Sequence, residues 1–237
     1  MSYETHNAQQ DSGLAAKLNW LRAGVLGAND GIVSTAGIIV GVVAAGSSAS
    51  AILTAGVAAV TAGAVSMALG EYVSVSAQRD TERELVTIHR EAHEKDPASE
   101  TKDIVTSLQE LGMSRATALT AAEEMSPQQR LAGHLRVELG LDEEDLTSPW
   151  AAAAASAFSF VLGSILPLIV AIVAPQGAKA WMTIVATLMA LAITGSISAR
   201  ISEGSRTKAV TRLVAGGGLA LLVTFGIGWV FGTTVGA

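Results

Sequence analysis

Five stretches of this chain, each at least twenty residues long, carry one ionisable side chain or none: Ala23–Ala45, broken only by Asp30, Ala51–Gly70, Trp150–Val173, Ala180–Ala199 and Leu213–Val235. At 1.5 Å per residue, about twenty helical residues cross the roughly 30 Å hydrocarbon layer of a bilayer. The pattern predicts an all-α, polytopic integral membrane protein with five transmembrane helices.

Between the second and third stretches the pattern changes. Leu85, Ile88 and Ala92, then Ile104, Leu108 and Leu111, recur at the spacing of one helix face among polar residues. Asp96-Pro97, Leu111-Gly112 and Ser126-Pro127 are expected breaks, giving about four short helices. Ser126 reads as an N-cap with Pro127 at the first helical position, and that helix is expected to run through Glu138 until Gly140 ends it. The expected organisation is an N-terminal tail over 1–21, two spans over 22–77, a soluble helical insert over 78–147 and three spans over 148–237.

Composition refines this picture. Half of the residues are hydrophobic and only 15% are charged, which is foreign to a soluble domain. Aromatics are scarce, so spans rich in Ala, Gly, Val and Ser must pack by close backbone approach. Gly56, Gly63 and Gly70 mark such a seam on the second span. Residues 1–13 lack a basic region before an apolar core, and the first apolar run is too long for a signal peptide, so it reads as a retained span. With no cysteine, disulfides and thiolate metal sites are excluded, and a soft ligand must be methionine or histidine.

Charge sets the orientation. Lys17 and Arg22 precede the first span, Arg79 and Arg83 follow the second, and Arg200, Arg206, Lys208 and Arg212 lie between the fourth and fifth. The positive-inside rule places these segments, and hence the N-terminus, in the cytosol and the C-terminus outside. Residues 78–147 hold sixteen acidic against eight basic side chains, leaving five acidic and seven basic elsewhere, so the insert is strongly acidic.

Asp30 lies about eight residues, or roughly 12 Å, into the first span, where a carboxylate costs roughly 2.5 to 3.5 kcal/mol. It reads either as a cap on a broken or tilted helix, helped by Asn29 and Gly31, or as an ion or proton site. Met67 and Glu71, four apart, share a helix face with Gly63 one turn earlier, so thioether, carboxylate and close backbone access converge. The plainer readings are a core methionine and a glutamate snorkelling to the interface. Pro167 is expected to disturb the hydrogen bond to Gly163, as a simple bend or as a gating point.

In the insert, Glu91 and Glu94, Glu100 and Asp103, and His134 and Glu138 each pair on one helix face, with His89 and His93 as further donors. Carboxylates with imidazole suit Fe(II), Mn(II) or Zn(II) better than calcium; the alternative is a solvated acidic face. No histidine follows a glutamate by three residues, as a ferritin-like di-iron site requires, and no Walker-type loop or Ser-His-Asp arrangement is present. Neither an enzyme, a prosthetic group nor a nucleic-acid partner is expected.

The run from Arg22 to Thr35, RAGVLGANDGIVST, resembles the opening helix of the vacuolar iron transporter family. The stretch from Ala62, AGAVSMALGEYVSVSAQRDTE, is similar to the bacterial form of the family's most recognisable segment; GHLRVELGL from Gly133 and LGSILPL from Leu162 also match. The resemblance covers nearly the whole chain after the tail. It implies a homodimer in a bacterial plasma membrane, five spans per subunit, a pathway near the dimer axis, and a cytosolic metal-binding domain after the second span. It also implies exchange of Fe(II), and often Mn(II), for protons. By the same resemblance Asp30 and Met67 match pathway ligands, and Glu91, Glu94, Glu100, Asp103 and Glu138 fall near the cytosolic cluster. Two departures are Ala59, where eukaryotic members carry glutamate, and His134-Leu135, where they carry a methionine pair. A membrane-anchored metal sensor or buffer, or a passive cation channel, are the competing readings.

Overall fold

The computed structural model describes the backbone of residues 4–139, 148–202 and 204–234, and side chains within these ranges from residue 22 onward except those of 93, 97, 98, 100, 138 and 139. Every regular element among the described residues is helical: α1 (Glu4–Ala44), α2 (Ala49–Lys95), α3 (Pro97–Glu110), α4 (Arg115–Glu124), α5 (Pro127–Leu139), α6 (Pro149–Val173), α7 (Lys179–Ile201) and α8 (Arg206–Thr234), with one 3-10 turn at Gln176–Ala178. Five of these, α1 from Arg22, α2, α6, α7 and α8, are long and apolar enough to cross a membrane.

Two helices outrun their expected limits. The tail expected over 1–21 is already helical from Glu4, as its run of Leu14, Ala15, Ala16, Lys17 and Leu18 favours. α2 does not end with its apolar stretch but continues to Lys95, because no proline or glycine interrupts 71–95 and i,i+4 contacts such as Gln78 to Glu82 at 2.8 Å brace its polar part. The segment around Leu85 is therefore a continuation of a spanning helix.

The chain divides into two compact units, one of 1–17 and 73–149, the other of 18–72 and 150–237. In the first, the expected breaks fall where backbone chemistry demands them. Asp96 accepts from the Ser99 amide at 3.1 Å at the start of α3. α3 ends in a Schellman motif: Gly112 adopts φ +95°, its amide bonds the Gln109 carbonyl at 2.9 Å and the Met113 amide bonds Leu108 at 3.2 Å. Ser126 and Gln129 form a reciprocal capping box on α5, at 3.3 Å and 2.8 Å; Gly140, its expected stop, lies outside the described residues. Ile104, Val105 and Leu108 form a core with Ala118 and Ala122. Leu111 and Ile88, expected on apolar faces, are instead 63% and 52% exposed.

The second unit is built around α1. Thr35, Ala36, Ile39 and Val40 on α1 are fully buried. Backbones meet closely there: a methyl on Gly31 would overlap the Phe160 carbonyl of α6, one on Gly163 the Ala28 carbonyl, and one on Gly228 of α8 the Gly41 carbonyl. α2 joins through Ile52 against Ile39, and α7 through Leu191 and Ala190 against Ile32. Of the expected glycine seam, Gly56 packs on Leu168 and Ile39 and Gly63 on the Phe160 ring, but a methyl added at Gly70 would meet nothing within 4 Å. α6 is continuous through Pro167, whose ring is buried.

Candidate functional site

Because α1 is continuous from Glu4 to Ala44, Asp30 caps no helix break. It is half-buried, and its Oδ1 accepts a hydrogen bond from Ser34 Oγ at 2.7 Å, one turn on. No cationic side chain pairs with it among the described residues. Its neighbours tie α1 to the other spans: Thr194 of α7 donates to Asn29 Oδ1 at 2.8 Å, and Thr35 donates to Ser164 of α6 at 2.8 Å. Ser164 Oγ lies 2.8 Å from the Phe160 carbonyl and 3.2 Å from that of Gly31. These bonds and the glycine contacts hold the carboxylate on a rigid central helix.

Met67 and Glu71 are half-buried on α2. The open backbone expected at Gly63 is absent, because the Phe160 ring fills that space. Elsewhere on α2, Thr54, Ala58, Ala62, Ser66, Gly70 and Ser74, four apart, are all exposed. They form a stripe of small side chains along the span.

In the other unit, Glu91 and Glu94 are exposed, and Glu91 Oε2 pairs with Lys95 Nζ at 3.3 Å with both side chains well solvated. The side chains of Glu100 and Glu138, and of His93, lie outside the described residues. His134 is buried and packs on His89 with ring centroids 5.2 Å apart. The two rings line a cavity of about 190 Å³ with Asp96, Ser99 and Asp103. Imidazole and carboxylate are a donor mixture that Fe(II), Mn(II) and Zn(II) accept. Among the described residues, however, no three His, Asp or Glu side chains converge closely enough to hold an ion. The pairing of His89 with His134, 45 positions away in sequence, carries no local signal; each residue merely faces inward from its own helix.

Residues 21–229 match the family model described as the VIT family. Over 231 residues the chain is 34% identical to the vacuolar iron transporter of Acanthamoeba castellanii, covering 96% of this chain and 84% of the relative. It is 35% identical to vacuolar iron transporter homolog 1 of Oryza sativa subsp. japonica, over 92% of this chain and 76% of the relative. Vacuolar iron transporter homolog 2 of the same plant is 32% identical, over 92% and 94%.

Proposed function

Since the chain belongs to the VIT family, we propose that it transports a divalent metal ion, Fe(II) or Mn(II), out of the cytosol in exchange for protons. The observation that carries the reading is Asp30: a carboxylate on the central spanning helix, oriented by Ser34 and without a cationic side chain to neutralise it among the described residues. Such a group is expensive in a membrane unless it serves a mobile cation or proton. Metal binds the deprotonated carboxylate, so metal and proton compete for the same oxygen, which is the simplest basis for antiport.

Among the described residues one subunit brings no three His, Asp or Glu side chains together for an ion, and we take the functional form to be a homodimer. The exposed small stripe on α2 supports this, since small residues at four-residue spacing let helices approach closely in lipid. Asp30 and Met67 from both subunits would then serve the pathway, with Glu71 at its mouth. The acidic segment with Glu91, Glu94, Glu100, Asp103, His134 and Glu138 gathers metal on the cytosolic side, Zn(II) included.

The test is uphill flux. The full chain is reconstituted in liposomes with a metal-sensing dye and a pH probe, and the lumen is made acidic. Antiport gives metal accumulation above the outside concentration with matching proton loss. Metal that only equilibrates identifies a channel, and binding without flux identifies a sensor or buffer.

A further inference from the structure

At the membrane end where α2 and α7 begin and α6 finishes, aliphatic walls enclose a cavity of about 230 Å³ whose polar lining comes from Ser50 and Lys179. Lys179 is only 6% exposed. Its Nζ donates to the Ala171 carbonyl at 2.6 Å, in the last turn of α6, where helix carbonyls lack internal partners. That bond uses one of three ammonium donors. α2 begins at Ala49 on the same cavity and adds the positive end of its dipole. No carboxylate is among the lining residues, and the negative end of the α6 dipole at Ala171 offsets only part of the ammonium charge, so the apolar enclosure keeps a net positive charge. A buried charge in that state is costly, and an anion relieves it.

We propose that this cavity holds the headgroup of an anionic phospholipid, with its phosphate against Lys179 Nζ and the first turn of α2. The volume falls below the roughly 300 Å³ at which pockets enclose a whole small molecule, so it suits a headgroup whose chains lie elsewhere. Leu53 and Ile172, 43% and 55% exposed, continue the lining outward as a track for an acyl chain. Ala49 and Lys179 are each the first residue of a spanning helix, the depth at which lipid phosphates lie. The inference does not depend on the transport reading.

Native mass spectrometry of the full chain in detergent, titrated with phosphatidylglycerol, phosphatidylcholine or inorganic phosphate, tests it. Phosphatidylglycerol is expected to bind about tenfold more tightly than phosphatidylcholine: both offer a phosphate to Lys179, but choline brings a second positive charge into an enclosure that already holds the ammonium. Lys179→Met removes that preference and Lys179→Arg keeps it. Leu53→Trp, which blocks the cavity while leaving the lysine in place, removes it as well and covers the case in which Lys179→Met fails to fold. Equal binding of both lipids to the wild type, or an unchanged preference in Leu53→Trp, overturns the proposal. Displacement of the lipid by inorganic phosphate alone at millimolar concentration makes it a phosphate site and overturns the lipid assignment.

Discussion

Gly31→Ala isolates the close packing that holds the central helix. The added Cβ would sit 2.9 Å from the Phe160 carbonyl carbon and 3.0 Å from its Cα, and closer still to the carbonyl oxygen. These are backbone atoms of a helix, which cannot rotate away as a side chain could. Overpacking a filled interior costs typically 1–3 kcal/mol, and an unyielding backbone places this case near 3 kcal/mol. Alanine returns about 1 kcal/mol of helix propensity. The net loss is about 2 kcal/mol, or roughly a thirtyfold fall in the folded-to-unfolded ratio. Gly226→Ala in α8 is the control, since an added methyl there also lies in a helix but meets nothing within 4 Å. Reversible unfolding of both variants in mixed micelles, followed by far-ultraviolet dichroism, gives the difference directly. If Gly31→Ala unfolds at the same denaturant fraction as Gly226→Ala, the backbone contact between α1 and α6 does not support the fold.

Three further outcomes follow from named contacts. Ser126→Ala breaks the capping box of α5 and costs about 1 kcal/mol, read as roughly fivefold faster hydrogen exchange of the α5 amides with α4 unchanged. Met67→Ala weakens Fe(II) transport by about tenfold, equivalent to 1.4 kcal/mol, and Mn(II) transport less, since a thioether favours the softer ion; equal loss for both ions argues against sulfur ligation. Replacing Glu91 and Glu94 together by alanine lowers divalent-metal binding to the full chain by titration calorimetry, whereas an unchanged isotherm makes both part of a solvated face.

The five spans were legible because hydropathy over twenty residues depends on little besides the solvent. The breaks at Asp96, Gly112 and Ser126 were legible because capping and left-handed backbone demand particular residues. Periodicity, by contrast, defines a face without naming its neighbour. Leu111 and Ile88 keep the spacing of a buried face and are exposed, and Gly63 has the right character for an open approach yet receives Phe160. The length of α2 escaped notice because composition changes at Gln78 while backbone preference does not. The pairing of His89 with His134 and the bonds from Thr194 to Asn29 and from Thr35 to Ser164 all join residues far apart in sequence. Asp30 stood out because a charge within an apolar run contradicts its surroundings.

The most direct test of the account is paired metal and proton flux through Asp30→Asn in liposomes. Asparagine keeps the shape and can still accept from Ser34, so the fold stays intact while the titratable anion is lost. The account predicts that uphill metal accumulation and the coupled proton movement disappear together. Metal flux with an unaltered pH dependence in this variant would contradict it.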